Sequence, residues 1–282
     1  MENSDNKIAA GIVLYNPDIE RLRMNINAVC GQVEKIFLVD NASSNISEIQ
    51  QLLERYPICR LVRNQDNKGI AEALNQLMEQ AEKQDYRWLL TLDDDSVCDK
   101  DMVQKLSLYT ENKEAGIICP EAVDDKMEMC TVLEQTEMVF VDDCITAGSL
   151  TNIDIWRKIG GFDSRMFIDF VDVEYCTRLR MNGYKICKVK SACIHQQYGN
   201  IKGSFTFLGK KYYKFDYSPV RIYYSVRNQV YFMKKYRKYI AVFKQFLFLL
   251  GYIGKRIVFE KNRLKSIRSI IRGIKDGIRM HV

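Results

Sequence analysis

Apolar and polar residues alternate in blocks along the first 93 positions. Residues 8–15 (IAAGIVLY) are a short apolar run closed by the turn pair Asn16-Pro17, the pattern of a buried strand. Residues 19–29 change to helical spacing through Ile19, Leu22, Ile26 and Val29. A second strand is predicted at 36–39, ended by Asp40-Asn41 and the polar ASSN turn, then a helix over 46–56 that stops before Pro57. A third strand at 59–62 precedes Asn67-Lys68-Gly69, which opens a helix with apolar residues at Ile70, Ala73, Leu74, Leu77, Met78 and Ala81, one continuous face. A fourth strand covers 88–92. Strand–helix alternation at this spacing predicts βαβ units and a parallel sheet.

The pattern is less regular beyond residue 95. A helix capped by Asp99 is expected to run to about Asn112, followed by a strand at 116–119 and antiparallel strands at 127–133 and 138–145. Ala147-Gly148-Ser149 reads as a small-residue turn. Helices are predicted over 153–159, capped by Asn152 and ended by Gly160-Gly161, and over 171–181, ended by Asn182-Gly183. A strand over 184–189 leads to His195, and 220–239 returns to helical spacing.

Composition adds a division. Of 282 residues, 47% are hydrophobic and 28% charged, which is globular. Residues 1–200 hold 22 Lys and Arg against 33 Asp and Glu, a net −11, whereas 201–282 hold 20 against 3, a net +17. We therefore expect a catalytic domain over 1–200 and a basic helical region over 201–282 facing an anionic partner. Residues 241–259 are strongly apolar but carry Lys244, Lys255 and Arg256. The uncharged stretch 245–254 is shorter than the ~20 residues a bilayer span needs, which favours an interfacial helix. Packing of these helices on the catalytic domain or on a second subunit is the alternative. No RRM-like or zinc motif accompanies the charge, so nucleic acid is not expected. The start, MENSDNKIAAGIVLYN, lacks a basic segment followed by an apolar stretch, so a secretory leader is not expected and the cytoplasm is. Nine scattered cysteines without a CxxC pair fit reduced, buried thiols.

Candidate chemistry lies at the strand ends. In open α/β sheets, ligands bind beyond the carboxyl ends of the strands where strand order reverses. Tyr15, Asp40, Asn67 and Asp93 all fall just past a predicted strand or in the loop after one. There is no GxGxxG or P-loop, which excludes a dinucleotide dehydrogenase and a P-loop kinase. Asp93, Asp94 and Asp95 are consecutive; a divalent cation would offset their repulsion, and Mg²⁺ or Mn²⁺ prefers such oxygen ligands. A solvated acidic turn is the plainer reading of the triplet taken alone. A second acidic group, FIDFVDVE over 167–174, puts Asp172 in the first turn of a helix, where the macrodipole keeps a carboxylate ionised for general-base work. Asp169 is expected to cap that helix or support the site, and Glu174 to face elsewhere.

Taken in order, VLYN, LVDNASSN, NKGIAEALN, LTLDDDS, the AGS turn with IWRKIGGFD, FIDFVDVEYCTRLRMNGY and His195 resemble the family 2 glycosyltransferases, inverting enzymes of the GT-A fold. The last acidic segment and YYSVRNQ resemble rhamnosyltransferase-like and galactofuranosyltransferase-like members most. The resemblance implies an α/β fold with a mixed, mainly parallel sheet covered by helices on both faces. It implies a nucleotide-sugar site with Asp40 on the base, Tyr15 packed near the base, Asn67 and Gly69 along the nucleotide, and Asp93 and Asp94 on the donor. Asp93, Asp95 and His195 would hold the metal, Asp172 would be the base, and Gly148 and Trp156 would border the acceptor. The implied partners are a dTDP- or UDP-linked sugar, a glycan or lipid-linked glycan of a bacterial surface polysaccharide, and the inner face of the cell membrane; homo-oligomerisation is left open. Two departures stand out. Val171 occupies a position where many relatives carry Glu, and the QxxRW string at 84–88 precedes the acidic triplet instead of following the base, which favours transfer of one sugar. A sugar-1-phosphate nucleotidyltransferase is the rival enzyme, but GIVLYNPDIE lacks its Gly-rich basic loop. A non-catalytic membrane-docked scaffold is the rival outside enzymes.

Overall fold

The computed structural model describes residues 7–124, 137–196, 201–207, 210–215, 217–259 and 263–282. The strand expected at 127–133 lies outside the described residues. Packing divides the chain into two units: Met1–Arg165 with Val171–Gln197, and Met166–Phe170 with Tyr198–Val282. The pentapeptide 166–170 thus groups with the C-terminal unit, although its place in sequence suggested the first.

The first unit begins as the periodicity predicts, with β1 (Ile8–Leu14), α1 (Ile19–Cys30), β2 (Ile36–Asp40), α2 (Ile46–Leu53), β3 (Cys59–Arg63), α3 (Ile70–Glu82) and β4 (Trp88–Asp93). It continues with β5 (Val97–Cys98), α4 (Met102–Ser107), β6 (Ala115–Asp124), β7 (Met138–Val141), β8 (Ser149–Asn152), α5 (Ile153–Ile159), α6 (Val171–Met181) and β9 (Lys185–Gln196). Helix α4 ends five residues before the expected Asn112, in successive tight turns at Tyr109, Thr110 and Asn112. Strand β7 stops at Val141, ahead of the expected 145. The small-residue turn at 147–149 passes directly into β8, which was not anticipated.

These strands form one nine-stranded sheet in the order β3-β2-β1-β4-β8-β6-β9-β5, with β7 also on β9. The run β3-β2-β1-β4 is parallel; β8 then lies antiparallel between β4 and β6. Ala10, Ile12 and Leu14 of β1, Leu38 of β2 and Leu90 of β4 are buried with Leu22, Ile26 and Val29 of α1, which explains the near-continuous apolar runs. On the other face, α3 sits so close to β1 that a Cβ on Gly11 would lie 3.2 Å from Leu77 Cδ1. The chain winds from β1 outward to β3, then returns to place β4 on the opposite side of β1. The reversal of strand order therefore falls between β1 and β4, where a ligand crevice is expected.

The second unit contains a hairpin, β10 (Ile201–Phe207) with β11 (Lys210–Phe215), and three helices: α7 (Pro219–Lys235), α8 (Val242–Phe259) and α9 (Arg263–Arg279). The hairpin departs from the expected all-helical region. Ser218 caps α7 by accepting from Arg221 N, with Pro219 at the first helical position. Helices α7 and α9 cross closely because glycines line the contact: a Cβ on Gly273 would lie 2.8 Å from Tyr223 O, and one on Gly277 2.6 Å from Arg227 O. Ile222 and Val226 of α7, Leu249 of α8 and Ile270 of α9 form the small core of this unit. Among the described residues no helix is long and apolar enough to cross a membrane.

Candidate active site

The loops after β1 and β4 meet at the switch point. Tyr15 N donates to Asp94 Oδ2 at 3.4 Å. Helix α1 then secures the acidic turn from beneath: Arg21 Nε donates to Asp95 O and Asn25 Nδ2 to Asp93 O, both at 2.6 Å. Arg21 and Asn25 are one helical turn apart and so share a face. Asn25 is buried between the apolar positions Leu22, Ile26 and Val29. The triplet's backbone carbonyls are thus tied down while Asp93 is exposed and Asp94 and Asp95 are half-buried. Burial pushes the Asp94 carboxyl up to about 6; the Tyr15 N–H draws it down and neighbouring Asp95 pushes it up. Beside the triplet lies a cavity of about 490 Å³ lined by Tyr15, Asn16, Arg21, Asp94 and Asp95 among others.

The β2 end is built differently from expectation. Asp40 is fully buried; its carboxylate accepts the Ser43 N–H at 3.1 and 3.2 Å and lies 3.5 Å from Arg63 Nε. The cause is a tight turn through Ala42, at φ 64°, that folds Ser43 back onto the carboxylate. Arg63, half-exposed at the end of β3, therefore stands over the group expected to meet the base. Asn16, at φ 51°, joins this loop to the first one by accepting from Ser44 N and Oγ at 2.8 Å. Asn67 Oδ1 accepts the Gly69 N–H at 2.9 Å, and Gly69, at φ 85°, supplies the turn into α3. A buried amide chain supports these ends: Asn41 Nδ2 donates to Gly69 O, and Asn64 Nδ2 donates to Asn41 Oδ1 and Gln76 Oε1.

Asp172 stands in the first turn of α6, as predicted, half-buried. It lines a small cavity with Cys144, Thr146, Ser149, Tyr175 and Cys176. The carbonyls of Thr146 and Ser149 accept from Thr91 Oγ1 of β4, two residues before Asp93. Gly148 N donates to Thr91 O at 2.7 Å, and the glycine is required: φ is 80° and a Cβ would lie 2.7 Å from Ile194 Cδ1. Asp172 and the triplet thus flank one strand–turn assembly in the same unit, although their two cavities share no lining residue. Glu174, fully buried, forms a two-bond ion pair with Arg178, which also donates to the carbonyls of Ile159 and Gly161. The Cys144 and Cys176 thiols lie 3.9 Å apart; contact with Cys119 and burial hold Cys144 well above the usual thiol range, against the lowering effect of Cys176, whereas contact with Cys144 and burial hold Cys176 there.

Three expectations are corrected. His195 is not gathered with Asp93 and Asp95: its ring Nε2 lies 3.1 Å from Asp99 Oδ1, because β9 pairs His195 with Val97 of β5. Among the described residues no three His, Cys, Asp or Glu side chains form a metal-holding group. Trp156 is buried, and its indole N–H donates to Asn75 Oδ1 at 3.1 Å, so it ties α5 to α3. Asp169 does not cap α6. At φ 64° it accepts from Arg221 Nη2 at 3.1 Å and from Ser225 Oγ of α7, while Asn228 Nδ2 donates to the carbonyls of Ile168 and Asp169. Seven cysteines are free thiols among the described residues, as expected, but Cys193 is disulfide-bonded.

The arrangement of sheet and switch-point crevice is that of the GT-A fold. Residues 10–129 match the family described as Glycosyl transferase family 2, so the chain carries a glycosyltransferase domain over that segment. In sequence it is rhamnosyltransferase-like: it is 25% identical over 292 aligned positions to dTDP-rhamnosyl transferase RfbF of Shigella flexneri, covering 98% of this chain and 96% of that one. Solved structures agree in fold. A mannosyltransferase, PcManGT from Pyrobaculum calidifontis in complex with GDP-Man and Mn²⁺, superposes with a TM-score of 0.62 at 12% identity, covering 99% of this chain and 77% of that one. GalNAc-T7 with UDP, GalNAc and Mn²⁺ superposes with a TM-score of 0.60 at 13% identity, covering 82% of this chain but 50% of that larger one.

Proposed function

We propose that this glycosyltransferase moves one sugar, with inversion, from a nucleotide-diphosphate donor to a hydroxyl of a bacterial surface-polysaccharide precursor. A dTDP-linked rhamnose is favoured by the full-length similarity to RfbF, with a UDP-linked galactofuranose second. The observation that carries the reading is the joining of the β1 and β4 loops at the switch point, Tyr15 N to Asp94, beside a cavity large enough for a nucleotide. Tyr15 and Asp40 would flank the base, with Arg63 moving aside; Asn67 and Gly69 would run along the nucleotide. Asp94 would meet the donor.

Asp93 and Asp95 suit a divalent cation, Mn²⁺ or Mg²⁺, because two carboxylates together with a diphosphate complete an oxygen shell. Arg21 and Asn25 hold their backbone in place, and His195 is left out of the ligand set because among the described residues it forms no metal-holding group with Asp93 and Asp95. When bound, the cation would neutralise charge on the departing diphosphate. Asp172 takes the proton from the acceptor hydroxyl, whose oxygen attacks the anomeric carbon opposite the leaving group. Gly148 would border the acceptor side. We assign catalysis to residues 1–200 and contact with the cytoplasmic membrane surface to 201–282.

A panel of nucleotide sugars with Mn²⁺ tests this. One donor should raise the unfolding temperature and be slowly hydrolysed without acceptor. Asp172→Asn should keep the thermal shift while hydrolysis falls at least ~10²-fold. No stabilising donor, or an Asp172→Asn variant with undiminished turnover, overturns the assignment.

A further inference from the structure

Helix α8 is apolar on both sides. Its inward side packs in the core of the second unit through Leu249, and Arg256 is buried with its guanidinium 4.0 Å from the Tyr217 ring and 4.8 Å from that of Tyr252. Its outward side carries Phe243, Phe246, Leu247, Leu250, Ile257 and Val258, all exposed; Phe243 is 73% exposed. These positions recur at three- and four-residue intervals with exposed Gly254 among them, while exposed Lys244, Phe248 and Gly251 border them on one side, so the centre of the face bears no charge from 243 to 258. Water-facing helices normally reserve that side for polar residues, and contiguous apolar patches of this kind mark interaction surfaces.

The flanks are cationic. Lys244 lies 5.9 Å from the Phe248 ring at the edge of the apolar face. Helix α9 repeats the pattern with exposed Leu264, Ile271 and Ile278 at seven-residue intervals, separated by exposed Lys265, Arg268, Arg272, Lys275 and Arg279. The region from 201 to 282 has 20 Lys and Arg against 3 Asp and Glu.

We propose that the outward face of α8 lies in the headgroup–acyl boundary of an anionic bilayer, with the Lys and Arg of α8 and α9 on lipid phosphates. This deepens the membrane clause of the proposed function and rests on it, not on the sugar-transfer chemistry. The charge selects the occupant. A second copy would bring +17 against +17, whereas an anionic bilayer supplies the complementary sign to a helix already carrying an uncharged apolar face. A span is excluded for α8, whose 18 residues contain Lys244, Lys255 and Arg256.

Vesicle flotation of the full chain tests the surface directly. Protein should float with vesicles of 30% phosphatidylglycerol in phosphatidylcholine and bind pure phosphatidylcholine at least ~10-fold less, with binding reduced by 0.5 M salt. The triple variant Phe243→Gln, Leu247→Gln, Leu250→Gln should lose ~10-fold or more in anionic-vesicle binding, and Lys244→Gln, Lys265→Gln, Arg268→Gln should do likewise. Since all six side chains point to solvent, each variant should retain its unfolding temperature and donor-induced thermal shift, which separates failure of this surface from failure of the catalytic reading. Absence of flotation with anionic vesicles, or a triple Gln variant that floats like the parent, overturns the proposal. So does a dimer, detected by sedimentation without lipid, that the α8 variant dissociates, because the face would then belong to a second copy.

Discussion

Asn25 Nδ2 donates to the carbonyl of Asp93 at 2.6 Å, joining the buried face of α1 to the first carboxylate of the acidic triplet. An amide on the core side of an amphipathic helix is costly unless a partner uses it, and here the partner is the turn that presents Asp93. Asn25→Ala should leave that carbonyl with only the longer bond from Ser96 N, at 3.3 Å. The expected result is a loss of about 1–3 kcal/mol in stability and weaker Mn²⁺ binding in the presence of nucleoside diphosphate, measured by denaturant titration and calorimetry. Unchanged Mn²⁺ affinity would reduce Asn25 to a packing residue.

Asp93 and His195 should part company in metal binding. Asp93→Ala should weaken Mn²⁺ binding at least ~10-fold, as expected for loss of a carboxylate ligand. His195→Gln should leave it within about threefold, because among the described residues His195 forms no metal-holding group with Asp93 and Asp95. Calorimetric titration of the three proteins reads both, and equal losses would restore His195 to the ligand set.

Gly148 should tolerate no side chain. Alanine there would meet Ile194 Cδ1 at 2.7 Å and Pro120 Cγ at 2.9 Å while holding φ near 80°. Gly148→Ala should cost about 1–3 kcal/mol, seen as a lower unfolding temperature, and should disturb the Thr91 contact behind Asp93. An unaltered unfolding temperature would mean that the turn relaxes freely.

Glu174 should matter more for folding than for chemistry. It is fully buried, and its charge partner Arg178 is mostly so. Glu174→Ala takes this carboxylate from the guanidinium, with an expected loss of about 3 kcal/mol measured by chemical denaturation. Donor-induced stabilisation of the remaining folded protein should persist. Loss of donor binding at unchanged stability would contradict this assignment.

Helices and parallel strands from Ile8 to Asp93 were legible because each has enough length to show its period, and Pro57 and the Asn-rich turns mark their limits. Strands β5 and β8 were not: VC and SLTN are too short to carry an alternation. The hairpin β10–β11 was hidden by a basic composition that suggested helix. The loop-borne carboxylates could be found from their place after strands, but their partners could not. Arg21 and Asn25 contact backbone carbonyls some 70 positions away, and such pairings leave no pattern in sequence. The one available sign was Asn25 itself, an amide at an apolar position of α1. His195 was misread because a histidine after a strand gives no indication that Asp99 reaches it first.

The pentapeptide 166–170 makes the two halves of this chain inseparable by a single cut. It groups with the residues from 198 onward yet is continuous with α6, which starts at Val171. Asp169 and Phe170 sit at φ 64° and 66°, backbone geometry that persists only when surroundings enforce it, and Arg221, Ser225 and Asn228 hold the first of them. Trimming the tail to obtain a smaller enzyme would therefore release the segment that leads into α6, whose first turn holds Asp172, the base proposed above. A shortened form that lost activity would report this broken brace, whatever the tail does at a lipid surface, which is why engineering should keep the chain whole and alter only side chains that face water.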